Sequence, residues 1–159
     1  VSITLWRICK RDFARTIFDG AGAATHPGRW NTAGVPALYC SASLPLAVLE
    51  VLVHLRSARV LREYVFASVR IDPSHVVDVR DDVAAMIRTG DVPGEDITRA
   101  IGVTAFAQRV AALRVPSVVL RSEHNVVLDP RHPAVMRAAK SAPQPLPIDS
   151  RILALTASS

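Results

Sequence analysis

Glu50 is the one acidic residue on a stretch, Leu44 to Leu55, whose other members are almost all apolar. A carboxylate in that setting is costly to bury unless it is paired or used, so Glu50 is a candidate for chemistry. Two more polar residues flank the same apolar unit: Arg29 in Gly28-Arg29-Trp30-Asn31, and Tyr39 in the run Ala37 to Ser41. The separations are long enough for a loop, a strand and a helix to fold back and bring the three side chains together. Guanidinium, phenol and carboxylate can between them bind an anion, donate a hydrogen bond and face a developing positive charge. The plainer alternative is a structural Arg29–Glu50 ion pair with Tyr39 in the core.

The surrounding elements must position these groups. Ser43 supplies an N-cap with Pro45 in the first turn, which starts a helix that ends near Arg59. At 100° per residue its apolar side chains point in every direction, so the helix is expected to be enclosed, with only His54 sharing the side of Glu50. Glu50 and His54 have the spacing of a metal pair, but no third ligand is identifiable, so the reading is no metal site and an interior histidine. Strands are expected at Ile3 to Ile8, Ala37 to Ser41, Tyr64 to Ile71, Ser117 to Arg121, Val126 to Leu128 and Ser150 to Leu155. His75 to Val79 is expected to pair beside the third of these. Helices are expected at Asp81 to Thr89, at Glu95 to Leu113 with a weak point at Gly102, and at Pro133 to Ala139, where His132 shapes a turn. Gly90 to Gly94 reads as a turn, and Lys10 to Pro36 as a long polar, Gly-rich loop of the kind that is usually functional. Strands mixed irregularly with helices argue for an α+β fold, a compact mixed sheet with flanking helices. The 159 residues make one domain, without internal repeats and without a Rossmann or P-loop glycine motif.

Composition narrows the function. A net charge of +5 and a pI near 10.0 permit a partner or ligand carrying phosphates or carboxylates. The basic residues are spread out, with no run of five and no interleaved aromatics, so a nucleic-acid platform is disfavoured. Cys9 and Cys40 are too few for a disulfide framework and fit a reducing cytosol. Val1 to Lys10 lacks a signal-like apolar run, and no segment reaches the roughly 20 apolar residues that span a bilayer. The expectation is a soluble, cytoplasmic protein without membrane contact.

The local words are more specific. Leu5-Trp6-Arg7, Gly28-Arg29-Trp30-Asn31, Gly34-Val35-Pro36 with Leu38-Tyr39-Cys40-Ser41, Leu49 to Leu55, Val115-Pro116-Ser117 and Asn125 to Pro133 occur in an order that resembles the RES-domain family. That family comprises toxins of bacterial toxin–antitoxin modules paired with Xre-type antitoxins. The resemblance implies a fold similar to ADP-ribosyltransferases and an activity that consumes NAD+. The eponymous Arg, Glu and Ser fall on Arg29, Glu50 and Ser117, with the family's Tyr on Tyr39; Arg7, Trp30 and Asn125 are further candidates for substrate contacts. Ser117 reads as a ligand or Glu50 contact and not a nucleophile, because no base is placed beside it in a recognised motif. Val79 to Ala112 matches only loosely, so no site residue is assigned there.

The activity implied by the resemblance is that of a NAD+ glycohydrolase or phosphorylase. NAD+ is the substrate, with inorganic phosphate as a possible co-substrate, and no cofactor is needed. A cognate Xre-type antitoxin covers the active site, and DNA is reached only through it. Modification of a host protein, a non-catalytic nucleotide- or partner-binding module, and a degenerate toxin are the competing readings.

Overall fold

The computed structural model describes residues 1–88 and 94–154. Strand β1 (Ile3–Lys10) runs into a segment that the sequence suggested was loop, but that folds into a 3-10 turn at Arg11–Thr16 and the short helix α1 (Ala21–Thr25). Strand β2 (Leu38–Ser41) leads to helix α2 (Leu44–Leu52), where the Ser43 hydroxyl accepts the Leu46 N–H and Pro45 sits in the first turn as expected. Strand β3 (Tyr64–Ile71) buries Val65, Ala67, Val69 and Ile71 on alternate positions. Then come β4 (Val76–Asp78), α3 (Arg80–Arg88), α4 (Glu95–Ala107), β5 (Ala112–Pro116) and β6 (His124–Leu128). The last described elements are α5 (Pro133–Met136), β7 (Ala139–Lys140), β8 (Gln144–Pro145) and α6 (Ser150–Leu153). The His132 ring caps α5, accepting the Ala134 N–H on Nδ1.

The strands form one mixed sheet in the order β4-β5-β6-β2-β1-β3-β7, with β8 also on β3. Among the described strands only β4 and β5 are parallel; the other neighbours are antiparallel, and the fold is α+β. Register then sorts side chains between two cores. On β2 and β6 the opposed pairs Leu38/Leu128 and Cys40/Val126 face one core, with Leu5, Val69 and Val135. Tyr39/Val127 and Ser41/Asn125 take the other face, where Val127 packs with Trp30, Val83, Phe106, Leu113 and Val115. That second face carries the polar residues of interest.

Several elements differ from expectation for definable reasons. Helix α2 stops at Leu52 and is covered on one side only: Leu46 and Ala47 are buried, whereas Leu49 is 38% and Val53 57% exposed. His54 is exposed and not interior. Strand β4 pairs with β5 and not β3, after a 3-10 turn capped by Asp72. The helix read as reaching Leu113 ends at Ala107, where Arg109 takes φ 61°, and β5 begins at Ala112. Residues 117–121 are not a strand, because the Ser117 hydroxyl accepts the Val119 and Leu120 N–H groups and folds the chain into a turn. The final expected strand is helix α6, started by the Asp149 carboxylate accepting the Arg151 N–H. Leu155, and all of the Gly90 to Gly94 turn except Gly94, lie outside the described residues. No described helix is long and apolar enough to cross a membrane.

Gly102 is not a weak point of α4 but its closest contact: a Cβ there would run into the Trp30 carbonyl group. Backbone cannot yield as a side chain end does, so Gly102→Ala is expected to cost about 2–3 kcal/mol. A lowered urea midpoint with unchanged slope is the measurement that checks it.

Candidate functional site

Two hydrogen-bonded assemblies build the site. The first organises the loop before β2. Asn31 is 0% exposed, and its carboxamide donates to the carbonyls of Ala23 and Val35, both at 2.8 Å. Its Oδ1 accepts the Gly28 N–H at 2.9 Å and the Tyr39 hydroxyl at 2.8 Å. The same hydroxyl accepts the Trp30 N–H at 2.9 Å. Gly28 must be glycine for this approach, since a Cβ would sit 2.6 Å from the Tyr39 oxygen. From the other side the Thr98 hydroxyl donates to the Arg29 carbonyl at 2.8 Å. The Arg29 backbone is thereby fixed at both flanks, while its guanidinium forms no ion pair or hydrogen bond with any described residue.

Tyr39 is therefore a structural strut. Burial pushes its phenol up to about 12, opposed by the hydrogen bond to Trp30, the charge of Arg99 and the bond to Asn31. Arg7 is committed similarly, donating from Nε to the Ile17 carbonyl at 2.6 Å and from Nη1 to the Tyr39 carbonyl at 3.0 Å. Cys40, fully enclosed, has its thiol pushed up to about 11 by desolvation, and burial also raises Cys9. Neither thiol is a ready nucleophile.

The second assembly holds Glu50. Its Oε1 accepts the Ser117 hydroxyl at 2.7 Å and the Asn125 amide at 2.6 Å. Asn125 is itself held by the Ser41 hydroxyl, which donates to Oδ1 at 2.8 Å. Glu50 Oε2 takes no hydrogen bond from a described residue, and the Arg29–Glu50 ion pair is not formed. The Ser117 hydroxyl donates a hydrogen bond to Glu50 and accepts two backbone N–H groups, an arrangement that fixes the hydroxyl and orients the carboxylate.

The three side chains expected to converge are divided between two clefts, one of about 420 Å³ that takes Arg29 and one of about 260 Å³ that takes Tyr39 and Glu50. Arg29, Trp30 and Ser117 line the larger; Arg7, Tyr39, Glu50 and Asn125 line the smaller, with His54 and Ser41. The Ser117–Glu50 hydrogen bond joins their walls. The larger cleft also takes Arg80, Val83, Ala84 and Thr98 from the segment in which no site residue was expected, and Arg121 from the turn after Ser117. Arg80 is pre-oriented by Asp78, with Nε–Oδ1 at 2.9 Å and Nη2–Oδ2 at 2.7 Å, and Asp78 also holds Arg114 at 3.3 Å. The Arg80 hydrogen bonds keep the Asp78 carboxyl well below the usual range. Arg121, like Arg29, has no partner among the described residues, so the cleft presents an excess of guanidinium charge suited to phosphate. Nothing in the sequence marked Arg80 or Arg121; only the pairing of β4 with β5 brings Arg80 across. Among the described residues no cluster of three or more His, Cys, Asp or Glu could hold a metal.

Residues 4–149 match the family model described as the RES domain. This chain belongs to the RES-domain family. The RES domain here is 33% identical over 144 residues to a protein of Yersinia enterocolitica named Toxin Res, covering 89% of this chain and 93% of that protein. It is 34% identical over 147 residues to the Prs ADP-ribosylating toxin of a Sphingobium species, covering 84% and 86%. Among solved structures it resembles a chain of the M. tuberculosis MbcT-MbcA toxin-antitoxin complex at TM-score 0.66 and 18% identity, covering 92% of this chain and 85% of that one. At that identity the likeness concerns the fold of the RES domain alone.

Tyr39→Phe removes both bonds of the strut and leaves the buried Trp30 N–H unpaired, which is expected to cost about 2 kcal/mol in chemical denaturation. The tyrosine also makes stability depend on pH. Its folded value lies above the ordinary 10.0, so the unfolded chain loses the proton first, and stability falls as pH climbs from 10.0 toward about 12. Denaturation across that window is expected to show a shallower fall for Tyr39→Phe than for the wild type.

Proposed function

We propose that this RES domain is the toxin of a toxin–antitoxin pair and that it breaks the nicotinamide–ribose bond of NAD+. The observation that carries the reading is Glu50: one carboxylate oxygen is anchored by two donors and the other is unengaged among the described residues, beside a cleft in which Arg29 and Arg121 have no described partner. Cleavage of that bond develops positive charge at the ribose C1 and its ring oxygen. A fixed carboxylate stabilises this charge and costs no reorganisation as the reaction proceeds. Nicotinamide departs as a neutral molecule from a cationic ring, so no general acid is required. Arg29, Arg80 and Arg121 would neutralise the pyrophosphate and hold the ribose in register.

The acceptor completes the balance. Water yields ADP-ribose and a proton, and inorganic phosphate yields ADP-ribose 1-phosphate. Transfer to a protein side chain is the second reading, favoured by the name of the Sphingobium relative. An Xre-type antitoxin covering the clefts accounts for the exposed apolar side chains beside them: Leu49 and Val53 next to Glu50, and Val118 and Leu120 after Ser117. The solved toxin-antitoxin complex of the same fold is consistent with such a partner. In this reading the protein works in the cytoplasm, and meets DNA only through the antitoxin.

Incubation with NAD+ is expected to release nicotinamide, with turnover reduced at least about 100-fold in Glu50→Gln. Mass analysis of the second product identifies the acceptor. Absence of nicotinamide release by the folded wild type, or full turnover in Glu50→Gln, rejects the proposal. For the guanidinium cleft, Arg80→Gln and Arg121→Gln are each expected to weaken ADP-ribose binding about tenfold by calorimetry. Binding of nicotinamide riboside, which has no phosphate, is expected to be unchanged.

A further inference from the structure

Ser41 has no part in the family resemblance beyond standing in a matched word, yet it is only 5% exposed, and among the described residues its hydroxyl is engaged by Asn125 alone. The register of β2 against β6 sets Ser41 directly opposite Asn125. The Ser41 hydroxyl donates to Asn125 Oδ1 at 2.8 Å, and the other end of that carboxamide donates to Glu50 Oε1 at 2.6 Å. A carboxamide is nearly symmetric in shape but opposite in polarity at its two ends. Turned over, it would set an acceptor against the Glu50 carboxylate. With Ser41 holding the oxygen end, the amide plane is pinned at both ends and the NH2 end faces Glu50. With Ser41 truncated, the plane is held only through Glu50, the group it is meant to orient.

We propose that Ser41 is a positioning residue for the reaction, acting through Asn125 to aim the Glu50 carboxylate. The inference rests on the proposed cleavage of NAD+. Ser41 lines the smaller cleft, so its truncation opens onto that cleft and leaves the packed cores intact. Its effect belongs to the transition state, where charge at the ribose meets Glu50, and not to ground-state binding of the dinucleotide.

The test is steady-state nicotinamide release by Ser41→Ala, Asn125→Ala and the double variant, with thermal melting to establish folding. Ser41→Ala is expected to lower kcat about tenfold with KM for NAD+ within about twofold. In the Asn125→Ala background the same change is expected to have no further effect, because the relay is already broken. Should Ser41→Ala melt below the assay temperature, Ser41→Cys, which keeps the volume and offers only a weak donor, is expected to show the same fall in kcat. An unchanged kcat in the folded variant, a change confined to KM, or an equal loss in the Asn125→Ala background overturns the relay while leaving NAD+ cleavage standing. A folded wild type that releases no nicotinamide removes both.

Discussion

One buried carboxamide underlies the loop side of the site. Asn31 meets backbone carbonyls with its nitrogen and a backbone N–H and a phenol with its oxygen, in a place closed to water. Buried polar groups of this kind are stable only when every one is answered, so the residue is fixed by its donor and acceptor pattern as well as by its size. An aspartate would lose the donors, and an apolar residue would orphan all of their partners. From Asn31 the constraint passes to Tyr39, to Gly28 and Trp30, and so to the carbonyl and side chain of Arg29. The Arg29 guanidinium, without a partner among the described residues, lines the cleft on a backbone that these hydrogen bonds hold in place.

A second carboxamide, on Asn125, does the corresponding work for the acidic side. Asn31 shapes backbone, whereas Asn125 ties a side chain from α2 to the sheet. Strand register makes this possible, since the pairing that puts Val126 and Leu128 in one core puts Asn125 and Val127 on the opposite face. A slip of one residue would exchange an amide for a valine against the Glu50 carboxylate.

The features legible in the sequence were those with short-range causes. The Ser43 cap, the alternation along β3 and the conspicuous carboxylate of Glu50 could be read directly, because each depends on neighbours a few positions away. The fate of β4 could not, since whether three residues join β3 or β5 depends on pairing with a strand more than thirty positions on. With β4 misplaced, Arg80 was lost from the cleft. Gly102 looked like a helix defect because its reason lies in the Trp30 carbonyl, and the turn after Pro116 looked like a strand because Val118, Val119 and Leu120 have strand composition. The division of the site into two clefts was invisible for the same reason: it arises where Ser117 meets Glu50, a contact spanning 67 positions.

That long span bears on the order in which the molecule is made. The donors to Glu50 lie 67 and 75 positions downstream, and β6 must insert between β5 and β2 before Asn125 reaches the carboxylate. Contacts so distant form late, after local helices and hairpins have closed. A chain still emerging from the ribosome holds Glu50 without either of its side-chain donors, so any activity that depends on an oriented Glu50 carboxylate waits until the chain has been made past Asn125.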